Sequence, residues 1–156
     1  MYTLFGIGNP GDEYKETRHN VGVSFLDWSE LQYAKSDGFV NASGAEVKKL
    51  LAKKKTPPAR LFVAHDDLDI KFGKFKISFG RNSAGHKGVQ SIIDQLKTNK
   101  FWRIRIGIAN KKLASARRAE KVPDFVLAKF TATEKKNLET VFKEALHALK
   151  HHLNHA

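Results

Sequence analysis

The chain contains no cysteine, which excludes disulfides and thiolate-held metals from its chemistry. Four prolines in 156 residues leave long stretches free to form regular structure. No apolar run approaches the ~20 residues needed to span a bilayer. The opening Met1-Tyr2-Thr3-Leu4-Phe5-Gly6 lacks the basic-then-apolar layout of a signal peptide. A soluble, cytoplasmic protein is therefore expected. Also missing are a Gly-x-Ser-x-Gly nucleophile turn, which argues against a serine esterase, and any internal repeat, low-complexity segment or domain-scale linker. Acidic residues are scarce, 16 Asp and Glu against 28 Lys and Arg, giving a formal net charge of +12. That excess suits a polyanionic partner, because dense Lys/Arg patches neutralise phosphates and release counterions. On charge alone, a basic surface kept for solubility explains it equally well. A membrane-surface protein would need a helix basic on one face and bulky-apolar on the other, and no clear example is present.

Hydrophobic residues make up 41% of the chain, enough for one sizeable core. Residues 3–8 form a short apolar run ending in a turn, a buried strand by its length. The spacing of Val23, Phe25 and Leu26 predicts a helix from Asn20 to about Leu31, and Val47, Leu50 and Leu51 predict another after Gly44. Arg60 to Ala64 reads as a buried strand that stops at His65-Asp66-Asp67. Phe75, Ile77 and Phe79 alternate with polar residues as in a half-exposed strand. Val89, Ile92, Ile93 and Leu96 mark a helix beginning after a Gly-rich turn. Ile104, Ile106 and Ile108 alternate with Arg103 and Arg105, a strand with two arginines on its open face. Residues 110–121 are polar and basic, a mobile loop or weak helix. Thr131 and Glu134 form a capping-box signature before a helix bearing Leu138, Val141, Phe142, Ala145, Leu146 and Leu149 on one side. The four histidines from His147 onward read as a frayed helix end without fixed metal geometry. Strands and helices alternate, so the expected fold is α/β: a single domain over residues 1–156, with helices flanking a mostly parallel, mixed and twisted central sheet.

In open α/β sheets, ligands gather at the carboxyl ends of strands. Asn9, His65-Asp66-Asp67 and Ser83-Ala84-Gly85-His86-Lys87-Gly88 fall at such places, with His19 and Asn41 near helix starts. One basic imidazole, carboxylates and several amides suit ester or amide hydrolysis by water. His takes the proton, a carboxylate orients it, and amides hold the substrate and the oxyanion. Each residue also has an ordinary reading: Asn9 as a turn former, His19 as a helix-start residue, Asp66 or Asp67 as a turn cap, Asn41 as a helix cap, and Gly85 to Gly88 as a close-packing turn.

The order and wording of these segments are more specific than the residues taken singly. Gly8-Asn9-Pro10-Gly11-Asp12-Glu13-Tyr14-Lys15-Glu16-Thr17-Arg18-His19-Asn20-Val21-Gly22 closely resembles GNPGxxYxxTRHNxG, the opening signature of bacterial-type peptidyl-tRNA hydrolases. Phe39-Val40-Asn41-Ala42-Ser43-Gly44 resembles the family's FMNxSG segment, with Val40 at the usual Met. His65-Asp66-Asp67-Leu68-Asp69 resembles HDELD, and Ser83 to Gly88 resembles SAGHNG. Arg103 to Ile108 resembles RLRxGI, and Asp124 to Phe130 resembles DYVLxxF. The resemblance spans nearly the whole chain in the family's order.

It implies hydrolysis of the ester between peptide and tRNA, without metal or other cofactor, by a monomer acting on the acceptor end. It implies that His19 activates water, that Asp66 pairs with the imidazole, and that Asn9 and Asn41 hold substrate. Tyr14 would line the cleft, His86 and Lys87 would contact substrate in a gate-like segment, and Lys76 and Arg105 would bind tRNA phosphate. Ser78 stands where many members carry another Lys. Lys87 replaces the family's Asn, exchanging a donor–acceptor for donors and a charge; such a charge near His19 is expected to lower its pKa. Only ten residues separate Asp27 from Gly38, too few for a helix end and two strands of ~5–6 residues each. Either a trimmed sheet edge or a helix running almost directly into the Asn41 segment should result. The rival reading, a non-catalytic RNA-binding module on the same scaffold, has no need for a His–Asp pair.

Overall fold

Leu4 and Phe5, adjacent in the chain, contribute to different hydrophobic cores, because successive side chains of a strand point to opposite faces of its sheet. The computed structural model describes residues 1–155. The sheet is built from β1 (Thr3–Gly6), β2 (Ala34–Lys35), β3 (Leu61–Lys71), β4 (Phe75–Phe79) and β5 (Trp102–Ala109), in the spatial order β2-β1-β3-β5-β4. All pairings are parallel except that of β4 with β5. This is the mostly parallel, mixed α/β sheet expected from the alternation of elements.

The helices are α1 (Val21–Ser29), α2 (Ser43–Lys54), α3 (Lys87–Leu96), α4 (Lys111–Arg118), α5 (Val122–Leu127) and α6 (Ala132–His155). One face of the sheet sends Leu4, Phe62, Ala64, Ile104 and Ile106 against Phe25 of α1 and Phe142, Ala145 and Leu149 of α6. The other sends Phe5, Val63 and Leu61 against Val47 and Leu51 of α2 and Val89 and Ile92 of α3. The capping box forms as its spacing predicts. The Glu134 N–H donates to Thr131 Oγ1 at 3.1 Å and the Thr131 N–H to Glu134 Oε1 at 2.9 Å, an arrangement that stabilises a helix start by about 1 kcal/mol.

The structure corrects two expectations. First, β3 does not stop at His65 but continues to Lys71. Beyond Ala64 it has lost β1 as a neighbour yet stays paired with β5 through Asp67; a ladder needs only backbone groups, so the end of the apolar run was not the end of the strand. Second, Arg103 and Arg105 do not lie on an open face, since only 3% and 6% of their surface is exposed. Arg105 Nε donates to Asp67 Oδ2 at 2.8 Å, and Arg103 Nη2 donates to the Asn82 carbonyl at 2.8 Å. Of the loop and the helix allowed for residues 110–121, the helix is realised over 111–118, its start capped by the Asn110 side chain accepting from the Lys112 N–H at 2.9 Å.

Of the two outcomes allowed for the short stretch after Asp27, the trimmed sheet edge is the one realised. α1 ends at Ser29, and the chain touches the sheet only through two-residue β2 before entering the Asn41 segment.

Candidate active site

β1 ends at Gly6, paired with Ala64 of its longer neighbour β3. The next residues of β3, His65, Asp66 and Asp67, therefore border a recess where the β1 partner is missing. Two close approaches bring other elements to its rim. A Cβ added to Gly22 of α1 would lie 2.2 Å from the Ala64 carbonyl oxygen, and one on Gly44 of α2 would lie 2.1 Å from that of Ser91 in α3. Glycine at these positions lets α1 sit directly on β3, and α2 directly on α3.

The helical turn before α1, Arg18–Asn20, then places His19 over the recess. Its neighbours anchor it on both sides. Buried Arg18 donates from Nη2 to Glu134 Oε1 at 2.8 Å and from Nη1 to the Lys129 carbonyl at 3.1 Å, and lies 4.9 Å from the Phe125 ring centre. Asn20 clamps the backbone of Asn9 with two bonds of 2.9 Å. Asn9 in turn accepts the Val40 N–H on its Oδ1 at 3.0 Å, holding the segment that carries Asn41 and leaving its own Nδ2 donors for a ligand. Sequence reasoning passed over Arg18 and Asn20; their presence inside the contiguous signature was the available signal.

Asp66 is buried and uses both carboxylate oxygens. His19 Nδ1 lies 2.7 Å from Oδ2 and His86 Nε2 lies 2.7 Å from Oδ1. His86 also accepts the Val89 N–H on Nδ1 at 3.2 Å, capping α3. A ring that accepts at Nδ1 carries its proton on Nε2, so His86 donates to Asp66 as a neutral imidazole. His19 donates to Asp66 through Nδ1–H, which leaves Nε2 as its free base. The donor atoms of His19, Asp66 and His86 lie within 4.8 Å of one another, a spacing a metal ion can bridge; here the three are joined by hydrogen bonds.

Electrostatics follow from this geometry. Burial disfavours the His19 cation, but the charge of Asp66 and its hydrogen bond outweigh that and hold the imidazole pKa above its ordinary value. Lys87 is not among the groups that move it, contrary to the expected lowering. Burial works against ionised Asp66, and the His86 and His19 imidazoles overcome it, keeping the carboxyl well below the usual range. His65, whose Nδ1 lies 2.7 Å from the Asp66 carbonyl oxygen, is fully enclosed, and its Nε2 has no partner. Burial, the largest cause, pushes its pKa down to about 3.

A cavity of about 520 Å³ opens above these residues, lined by Asn9, His19, Asn41, Asp66, His86 and Lys87 on one side and by Val122, Pro123, Val126 and Leu127 of α5 on the other. Six of the nine expected site residues thus converge. Asn41 and Lys87 are exposed at its edge. Tyr14 is not part of the lining: its ring packs edge-on against Phe39, 6.0 Å between centres, and Phe39 is the aromatic that faces the cavity. Lys76 and Arg105 also lie outside it. They are cross-strand partners on β4 and β5, Lys76 exposed and Arg105 enclosed, with Arg105 Nη1 3.1 Å from Ser78 Oγ. Asp67 binds Arg105 on one oxygen and caps a turn through the other, accepting the Asp69 N–H at 2.8 Å.

A hydrogen-bonded His–Asp pair with a free imidazole nitrogen over a cavity is equipment for activating water. The family model for peptidyl-tRNA hydrolase matches residues 3–36 and 26–156, two stretches that overlap where the chain between α1 and Asn41 is short. The peptidyl-tRNA hydrolase of Thermodesulfovibrio yellowstonii is 35% identical across 96% of this chain and 90% of its own. That of Aquifex aeolicus is 35% identical across 94% and 86%. The crystal structure of the Acinetobacter baumannii peptidyl-tRNA hydrolase superposes with a TM-score of 0.80 at 25% identity, covering 96% of this chain and 87% of that one. A peptidyl-tRNA hydrolase crystallised with n-propanol gives 0.82 at 26%, covering 93% and 85%. With its site segments assembled around one carboxylate and residues 3–156 matched by the family model, the chain belongs to the peptidyl-tRNA hydrolase family.

Proposed function

We propose that the chain hydrolyses the ester linking a peptide to the terminal ribose of tRNA, with His19 as general base. The observation that carries this reading is the His19–Asp66 pair, 2.7 Å between Nδ1 and Oδ2, at the floor of the cavity. Nε2 of His19 takes a proton from water as the oxygen attacks the ester carbonyl. Asp66 fixes the tautomer and stabilises the imidazolium that forms, the part an orienting carboxylate plays in a hydrolase triad. Collapse of the tetrahedral intermediate breaks the ester C–O bond, and the imidazolium returns the proton to the departing ribose oxygen. The peptide leaves as a carboxylic acid that gives its proton to solvent, and the tRNA leaves with a free terminal hydroxyl.

Asn9 and Asn41 supply amide groups for the carbonyl or the water, and Lys87 supplies a cation at the rim. Lys76, exposed on β4, contacts a phosphate of the acceptor end. Arg105 supports that surface from beneath, and its bond to Asp67 also ties β5 to the cavity wall. Tyr14 acts through Phe39. The same reading makes the chain a cytoplasmic monomer, and among the described residues no helix is long and apolar enough to cross a membrane.

Incubating the purified protein with a peptidyl-tRNA and its aminoacyl-tRNA counterpart tests the reading: only the former should be cut. His19→Ala should abolish peptide release and leave tRNA binding largely intact. Turnover retained in that variant would remove His19 from the mechanism. Tight tRNA binding with no cleavage by the unaltered chain would favour the RNA-binding module instead.

A further inference from the structure

α5 is a wall with two sides. Val122, Pro123, Val126 and Leu127 face the catalytic cavity, while Asp124 and Phe125 face a second, open groove of about 450 Å³ between α4 and the start of α6. Three lysines from separate places line this groove: Lys112 on α4, Lys121 at the turn before α5, and Lys129 beyond its end. Among the described residues none of the three forms an ion pair. Arg18 lies in the same lining, 3% exposed, with its Nε buried and without a hydrogen-bond partner. Glu134, the acid nearest that guanidinium, already serves Arg18, Asn110 and the Thr131 N–H. Asp124 is the one carboxylate lining the groove against three lysines and the arginine beneath, with Glu16, outside the lining, within reach of the Lys129 charge. Positive charge in excess of the nearby carboxylates repels itself, and a polyanion relieves that repulsion.

We infer that this groove is a second phosphate-binding surface, taking the backbone of the RNA body whose reacting end lies in the cavity. This rests on the hydrolase reading for the identity of the RNA. A helix is about 10 Å across, so a strand leaving the cavity over α5 reaches the groove in one helix width. The surface is separate from the one carrying Lys76 and Arg105, which lies on the sheet at β4 and β5. Phosphate neutralisation by lysine is independent of base sequence, which suits an enzyme whose substrates differ in the bases of their stems.

The test uses the full chain carrying Lys112→Gln, Lys121→Gln and Lys129→Gln together, all exposed side chains. Binding of deacylated tRNA is followed by fluorescence anisotropy across a salt series. The dissociation constant should rise about tenfold, and the slope of log affinity against log salt should shrink by about 2–3, roughly one for each phosphate no longer neutralised. Unchanged affinity and slope would overturn the inference. In hydrolysis, the kcat/KM ratio of full-length peptidyl-tRNA to a peptidyl ester of the terminal trinucleotide should fall about tenfold, because only the longer substrate reaches the groove. Equal losses on both substrates would mean a disturbed cavity and would also overturn it. The hydrolase reading fails differently: the unaltered chain would cut neither ester while its tRNA binding still depended on the three lysines.

Discussion

Gly22 sits so close to β3 that a single added methyl would fall 2.2 Å from the carbonyl oxygen of Ala64 and 2.5 Å from its carbon. The contact is backbone against backbone, with no flexible side chain to yield. It sets the seat of α1, and therefore of the His19 turn that precedes it, relative to Asp66 two residues further along β3.

Gly22→Ala should force α1 off the sheet. Overpacking of this kind costs about 1–3 kcal/mol, measurable as a lower urea midpoint. Activity should fall further than stability accounts for, because the displacement also opens the 2.7 Å His19–Asp66 bond. A variant with full activity and lowered stability would separate the helix seat from the catalytic geometry.

His19 must be neutral to accept a proton, and Asp66 holds its pKa above the ordinary value. Hydrolysis should therefore rise with pH through a midpoint above about 6.5. In Asp66→Asn the burial that opposes the cation is left unanswered, so the midpoint should move below that value. The rate should drop roughly 10²–10⁴-fold as the orienting charge is lost. A pH–rate profile of both proteins reads this directly; a midpoint that stays in place would mean that another group controls it.

Lys87 stands where the resembling family carries Asn, yet His19 draws its shift from burial and Asp66 rather than from this lysine. Lys87→Asn should leave the pH midpoint in place and hold kcat at or above its starting level. A sharp fall in kcat would show that the lysine binds or catalyses in its own right.

His65 is enclosed and neutral, with its pKa lowered to about 3. In the unfolded chain the ring protonates near 6.5. Between these values the unfolded state binds the extra proton, so stability should fall as pH drops from about 6.5 toward 3. Asp66, lowered in the folded state, adds a further loss below about 4, where unfolded carboxylates take up protons. His19 runs the other way: its raised pKa gives a stabilisation fully present below about 6.5 and lost as pH rises through the folded value. His65→Asn, which keeps a donor for the Asp66 carbonyl, should flatten the decline between about pH 6.5 and 4.5 in urea titrations, because the titrating ring is gone. An undiminished slope would assign the acid sensitivity to other groups.

Periodicity, turn residues and a long contiguous signature were enough to read an α/β sheet flanked by helices, the capping box at Thr131 and Glu134, and a site built around His19, Asp66, Asn9 and Asn41. These are legible because strand alternation, helix spacing and end-capping act between residues near in sequence. Other features depended on partners far along the chain. β3 continues past its apolar run because β5 supplies its ladder. Arg105 is enclosed because Asp67, 38 residues away, meets its guanidinium, and Tyr14 is screened because Phe39 stands before it. His86 was expected to touch substrate; in the fold it also donates to Asp66, a bond formed only when α3 starts beside β3. The local chemistry of the chain was thus decided by its sequence. Which charges pair, which nitrogen of His19 stays free, and where the unpaired lysines gather were decided by tertiary structure, since burial and long-range contacts determine the electrostatics of each group.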